Sequence, residues 1–256
     1  MDLCEIQSAN SKRHPWELAR LQTLRHILQS YIIEQLNIEP SSLRMLDVGC
    51  GDGYTAQELA ADFGIKDLVG LDLYLTPQNI SDLKQHYPHT LYTNDPNHLE
   101  GRRFQLMLFL DVLEHIANDR RFLQEHIERF LDQHGLALIT VPAFQCLFNQ
   151  HDRYLKHYRR YTLSELISVV QQAGLKPLQR GYLFGSLLPI RMISTMLQKV
   201  LPFAFHTAQG IGQWQGIEII TQSIKNMLYI DNRCLLFLSQ KQIYLPGLTS
   251  WVLCQK

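Results

Sequence analysis

Apolar residues open the chain at helical spacing. Trp16 to Leu21 begin the pattern, and Leu24, Ile27, Leu28, Tyr31, Ile32 and Leu36 continue it every three or four positions, predicting an amphipathic helix that residues 37–42 break. The rhythm then changes to short apolar runs separated by helix-length segments. Residues 44–48, 68–73, 90–93, 104–110 and 136–141 read as strands, with helices over 54–63, 80–86 and 119–131 between them. Such alternation predicts an α/β fold with a parallel sheet covered on both faces, and ligands held beyond the carboxyl ends of the strands. Thr162-Leu163-Ser164-Glu165 is a capping box, and the helix it starts should stop at Gly174. Residues 178–183 and 250–254 are the remaining strand candidates. The chain therefore divides into an N-terminal helical lid (1–42), a core (43–185), a helical cap or interface region (186–240) and a C-terminal strand that completes the sheet (241–256).

The first strand runs into Asp47-Val48-Gly49-Cys50-Gly51-Asp52-Gly53, and a helix starts at once. Alternate glycines open backbone conformations closed to other residues and bring bare backbone against a ligand. A nicotinamide-type fingerprint would carry its third glycine where this chain has Tyr54. The acid ahead of the first glycine suits a ligand with an α-amino group and a sulfonium rather than a pyrophosphate. Asp72 ends the second strand at the separation from the glycines where an acid meets ribose hydroxyls. The third strand ends in Thr93-Asn94-Asp95-Pro96, which sets Asp95 to accept from an adenine amino group. Cys50 reads as a small packing residue within the loop.

Composition narrows the function classes. Basic and acidic side chains balance at 24 each, which excludes bulk nucleic-acid binding. The five cysteines are scattered, with no C-x-x-C pair, so neither a disulfide framework nor a zinc ribbon is indicated and a reducing cytosol is expected. No run approaches the ~20 apolar residues of a spanning helix.

In their order along the chain, the Asp47 to Gly53 turn, Gly70-Leu71-Asp72, Leu110-Asp111-Val112-Leu113-Glu114-His115-Ile116 and Gly135 to Pro142 resemble the successive motifs of the class I methyltransferases. The resemblance implies a Rossmann-like, seven-stranded, mostly parallel sheet with an antiparallel last strand and a helical lid inserted late in the chain. It implies S-adenosylmethionine as methyl donor and S-adenosylhomocysteine as product. Asp47 and Gly49, with Cys50, Gly51 and Gly53, would hold the methionine end, Asp72 and Leu73 the ribose, and Asn94 and Asp95 the adenine, while Asp111 and Val112 line the cofactor. His14-Pro15-Trp16 with Arg20, the block from His151 to Thr162 and Leu245 to Trp251 are similar to a bacterial subgroup found among surface-polysaccharide and lipid-linked biosynthesis proteins, although relatives commonly carry Trp where this chain has Pro15. More distantly the chain resembles quinone-biosynthesis O-methyltransferases, in some of which the positions of Asp111, Glu114 and His115 hold a metal ion. The leading expectation is transfer to oxygen without a metal; the alternatives are a non-catalytic S-adenosylmethionine-binding partner of a biosynthetic complex and a protein, RNA or quinone-precursor methyltransferase.

The block from His151 to Tyr161 follows the fifth strand and is dense in polar function. His151 or His157 could serve as general base, with Arg159, Arg160, Tyr161 and Trp16 gripping a small-molecule or lipid-linked acceptor. The alternative is that the two arginines pair with acids of the core and the tyrosines pack. Along 187–201, Leu188, Met192, Ile193, Met196, Leu197, Val200 and Leu201 form one apolar helical face. That face either caps the site, with Trp214 belonging to the same lid, or lies on the inner membrane face and admits a lipid-linked acceptor.

Overall fold

A computed structural model describes residues 12–35, 40–200 and 214–256. The expectations placed on Leu36, residues 37–39, Leu201 and the glycines at 210 and 212 lie outside these residues. The helices are α1 (Pro15–Gln35), α2 (Tyr54–Phe63), α3 (Pro77–His86), α4 (Asp119–Phe130), α5 (Gln150–Tyr154), α6 (Leu163–Gln172), α7 (Leu188–Val200) and α8 (Glu218–Gln240). The strands are β1 (Arg44–Val48), β2 (Asp67–Leu71), β3 (Leu91–Thr93), β4 (Phe104–Leu110), β5 (Leu131–Pro142), β6 (Lys176–Leu183) and β7 (Thr249–Gln255).

The seven strands form one sheet in the order β3-β2-β1-β4-β5-β7-β6. β1 to β5 pair in parallel, while β7 runs antiparallel between β5 and β6. The central strands are buried on both faces, as their unbroken apolar character requires: Phe104, Leu106, Met107, Leu108 and Phe109 of β4 are fully inaccessible. One apolar layer gathers under α1, α2 and α8, the other under α4 and α6. The predicted fifth strand begins earlier than its apolar run, at Leu131, which pairs with Phe104 before a register shift. His134, at φ 64°, lies within that irregular stretch.

Thr162 and Glu165 close the predicted capping box, and Gly174, at φ 83°, follows the helix. The segment 186–240 holds both α7 and α8. Asn232 on α8 is buried, and its Nδ2 donates to Thr23 Oγ1 on α1 at 2.9 Å, while its Oδ1 accepts from the Phe184 N–H at 2.7 Å. α8 is thereby bound to α1 and to the end of β6, and its Leu228 and Leu236 join the core. The strand switch between β1 and β4 leaves a crevice at their carboxyl ends, where the motif residues converge.

Candidate functional site

Gly49 follows β1 in the left-handed region, at φ 74°, and a Cβ there would stand 2.6 Å from Val112 Cγ2. Only glycine allows that approach. The Gly51 N–H donates to Asp72 Oδ2 at 3.2 Å and the Tyr74 N–H to Asp72 Oδ1 at 3.0 Å, so the second strand's acid is aimed back at the glycine turn. Gly53, at φ 72°, starts α2 beneath the Tyr92 hydroxyl. Tyr92 escaped sequence reasoning. It fills the space that Gly53 and Gly70 leave, and its hydroxyl accepts from Gln57 Nε2 at 2.8 Å. Two glycines on neighbouring elements were the available hint that a large ring crosses them. Cys50 packs beside Tyr92, and burial raises its thiol pKa well above the ordinary value.

Two recesses meet at Gly49. The smaller is bordered by Trp16, Glu17, Arg20, Asp47, Cys50 and Asp52. The larger, of about 400 Å³, is walled by Asp72, Leu73 and Tyr74 after β2, by Asp111, Val112 and His115 after β4, and by Phe122, Leu155, Lys156 and Tyr158. Asp47 is 4% exposed, and its Oδ1 has no hydrogen-bond partner. Burial, reinforced by the carboxylates of Asp72 and Asp52, pushes its pKa up to about 7. Asn94 and Asp95 border neither recess. Asn94 Nδ2 donates to the Leu75 carbonyl, and Asp95 caps the following 3-10 turn by accepting from the Asn97 N–H at 2.8 Å.

Asp111 adopts a left-handed backbone at φ 58°, unusual for a residue with a side chain. Arg20 holds it there: Nη1 donates to Asp111 Oδ2 at 2.5 Å and Nη2 to Thr140 Oγ1 at 2.7 Å, while the Thr140 hydroxyl donates to Asp111 Oδ1 at 3.1 Å. Burial is the largest influence and would raise the Asp111 pKa, but the Arg20 charge and the hydrogen bonds from Thr140 and Arg20 help bring the carboxyl below its usual value. A second tie, from Arg13 Nη1 to Asp52 Oδ2 at 2.6 Å, fastens the start of α1 to the glycine turn.

The polar block after β5 separates into distinct roles. Arg160 is buried, with Nε donating to Asp152 Oδ1 at 2.8 Å and Nη1 to the Ala143 carbonyl at 3.2 Å. Arg159 bonds the Ala117 carbonyl at 2.7 Å and meets Asp119 at 3.3 Å. The Tyr161 hydroxyl is buried, 2.7 Å from Asp119 Oδ2 and 3.1 Å from the Leu113 carbonyl oxygen. The structure pairs all three with core acids and backbone, which is the alternative the sequence left open beside a grip on the acceptor. Asp119, the acid that receives two of them, carried no signal beyond its place at a helix start. His151 lies on the first turn of α5 and borders neither recess. His157 Nδ1 is 2.9 Å from Asp152 Oδ1, and its ring meets that of His115 edge to face at 4.5 Å between centroids. It is His115 that reaches the wall of the larger recess. Asp152 is fully buried. Burial would raise its pKa, yet the His157 hydrogen bond and the Arg160 charge bring it down to about 2. Glu114, His115 and His157 each offer a ligand atom within 4.8 Å of the others. Asp111, the third member of the metal set considered from sequence, is instead engaged by Arg20.

A partnerless carboxylate oxygen on Asp47, a second carboxylate, Asp72, on the wall of the larger recess beside the glycine turn, and bare backbone at Gly49 form the complement of an ammonium-bearing amino acid joined to a ribose. The residues thus fit S-adenosylmethionine. Comparison with known proteins agrees with that chemistry. Residues 20–180 match the family described as "Methyltransferase domain". The ubiquinone biosynthesis O-methyltransferase of Rickettsia typhi is 28% identical over 150 residues, covering 54% of this chain and 59% of that relative, so the chain spans about three fifths of the relative's length. A methyltransferase structure from Mesorhizobium loti, described as S-adenosylmethionine dependent, superposes with a TM-score of 0.53 at 11% identity, covering 92% of this chain and 100% of that one. Another from Archaeoglobus fulgidus gives 0.52 at 15% identity, covering 92% and 94%. At such identities the structural likeness speaks for the fold.

Proposed function

The chain belongs to the class I, S-adenosylmethionine-dependent methyltransferase-domain family, and from that premise we propose that it methylates a hydroxyl oxygen on a small or lipid-linked acceptor bound in the larger recess. One observation carries the choice of oxygen: an imidazole, His115, stands on the wall of that recess with a second ring and a buried carboxylate behind it. An acceptor hydroxyl must lose its proton as it is methylated, whereas a free amine can attack as it stands. The name of the Rickettsia typhi relative supports oxygen as well.

When bound, S-adenosylmethionine supplies an already electrophilic methyl carbon on sulfonium sulfur. The protein's task is then alignment, exclusion of water and removal of one proton. Asp47 holds the ammonium end in the smaller recess, and Asp72 accepts from ribose hydroxyls beside the glycine turn. Leu73 and Val112 line the cofactor on that wall, Phe122 and Leu155 give the acceptor an apolar lining, and Lys156 sets one cation beside it. His115 takes the acceptor's proton. His157, fixed through Nδ1 by Asp152, buttresses the His115 ring and is a positioning residue.

Incubation of the protein with tritiated-methyl S-adenosylmethionine and fractionated cell extract tests the reading. Label should enter the small-molecule or lipid pool; label confined to protein or RNA overturns it. With the labelled acceptor in hand, His115→Ala should lower turnover about 100-fold or more and leave cofactor affinity unchanged, as loss of a general base does. Chelator treatment should leave the rate intact. A loss that a divalent cation restores would turn Glu114, His115 and His157 into a metal centre and remove the general-base role.

A further inference from the structure

α7 turns its polar side toward the body of the protein. Ile190, Met192, Ile193, Met196 and Leu197, from the apolar stripe read in the sequence, face outward and are exposed. Arg191, Thr195 and Gln198 recur four and three residues apart, so they share the opposite, inward face. The Arg191 guanidinium has a single polar contact among the described residues, Asp152 Oδ2 at 4.0 Å, which is beyond hydrogen-bond distance. Thr195 is 2% exposed, and neither its Oγ1 nor Gln198 Oε1 has a hydrogen-bond partner among those residues. Asn149, at the start of α5, adds a further donor. Its N–H donates to the same Asp152 Oδ2 at 2.9 Å, and its Oδ1 caps the helix by accepting from the His151 N–H at 3.0 Å. Its Nδ2 is buried and has no partner. Folded proteins rarely leave so many buried polar atoms unpaired in one place.

Charge says what these groups receive. Asp152 already meets Arg160 Nε at 2.8 Å and His157 Nδ1 at 2.9 Å. Arg191 is thus a second guanidinium beside one carboxylate, and α7 itself has no acid to offer it. Burial lowers the Arg191 pKa, the Arg160 charge lowers it further, and Asp152 does not make up the difference. An anion bound here would restore the balance, and the N–H groups of Arg191 and Asn149 are of the kind that grip oxyanions. The cluster also lies on the ligand side of the sheet. β6 and β5 both run antiparallel to β7, so β6 points the same way as the parallel strands, and α7 follows its carboxyl end. From Asn149, α5 leads to Leu155 on the wall of the larger recess, about 9 Å along a helix.

We propose that Arg191 and Asn149 form a subsite for an oxyanion, a carboxylate or phosphate group carried by the methyl acceptor. Its assignment to the acceptor rests on the methyl-transfer reading above; the oxyanion site does not. Broadening of the phosphorus NMR resonance of inorganic phosphate tests the site. Wild-type protein should broaden it. Arg191→Gln should reduce the effect about tenfold or more, and Arg191→Lys, which keeps the charge without the planar fork, should fall between the two. Asn149→Asp retains the cap but exchanges the donor for a second carboxylate oxygen, and should abolish the effect. S-adenosylmethionine affinity, read by calorimetry, should stay unchanged in all three variants. Absence of broadening by wild type, or broadening by Arg191→Gln and Asn149→Asp equal to wild type, overturns the proposal. In the tritiated-methyl assay the labelled acceptor should bind an anion-exchange resin, and its partition between water and chloroform separates a soluble acid or phosphate ester from a lipid headgroup. Arg191→Gln should raise KM for that acceptor about 30-fold or more, with a smaller fall in kcat. A neutral labelled product overturns the assignment to the acceptor while methyl transfer stands. Label confined to protein or RNA, with phosphate broadening intact, overturns the methylation reading and keeps the oxyanion site.

Discussion

A carboxylate that is 4% exposed and has an oxygen without a hydrogen-bond partner resists ionisation, and Asp47 combines both conditions at the cofactor end of the site. Its pKa of about 7 in the folded protein compares with about 3.9 in an unfolded chain. The unfolded chain therefore releases this proton first. Between about pH 4 and pH 7 the ligand-free protein loses stability as pH rises, and above that the loss is constant, up to about 4 kcal/mol in order of magnitude. Asp47→Asn should accordingly stabilise the ligand-free protein at pH 8, by about 1–3 kcal/mol in urea denaturation, while weakening cofactor binding about 100-fold or more. A destabilised Asn variant at pH 8 would contradict this account of the residue. Because an ammonium group prefers the ionised carboxylate, wild-type affinity should fall about tenfold per unit below pH 7, with proton uptake or release visible in calorimetry across buffers. The glycine turn, the acid within β1 and the acid after β2 could be read from sequence because short-range geometry alone demands them. Asp47's missing partner could not, since burial is a property of the assembled sheet.

α1 is tied to the site at two points, Arg13 to Asp52 and Arg20 to Asp111, and the second also holds Asp111 in its left-handed conformation. Arg20→Ala leaves an acid of the site without its countercharge, and should destabilise the protein by about 3 kcal/mol at pH 7. Arg20 lowers the Asp111 pKa, so its contribution is present above about pH 4 and is lost as pH falls through the folded value. The gap between wild type and variant should therefore narrow at pH 3 in guanidinium titrations. An equal gap at both pH values would place Arg20's contribution in packing. Element positions were legible where periodicity is clean, as for α2 and β4. Arg20 stands out in sequence only through the resemblance at the start of α1, and its tie to Asp111 is hidden because that partner lies 91 residues away. The block after β5 stayed open between two readings for the same reason: Arg159 and Tyr161 find Asp119 across 40 and 42 residues. A cluster of charged and aromatic residues looks functional until the acids that neutralise it come into view.

Across the whole molecule, the alternation of strands and helices disclosed the class of sheet and where its ligand belongs. It did not disclose α7's rotation, since sequence fixes an apolar stripe but not which side meets the body. Nor could periodicity set β7 between β5 and β6; the family resemblance implied only that the last strand is antiparallel. β7 brings Trp251, Val252 and Leu253 to the centre of the core, all fully buried. A chain cut after Pro246 should express as insoluble material, with protease sensitivity spreading from β6 through α6, whereas cuts in exposed loops should leave a folded protein. The placement of β7 also bears on synthesis. A ribosome delivers β6 and all of α8 before residues 249–255 emerge, so the nascent polypeptide carries a bare strand edge and an open half-core throughout that interval. Translation speed over the α8 codons, and the chaperones that meet the exit tunnel, should thus govern how much active protein a cell recovers.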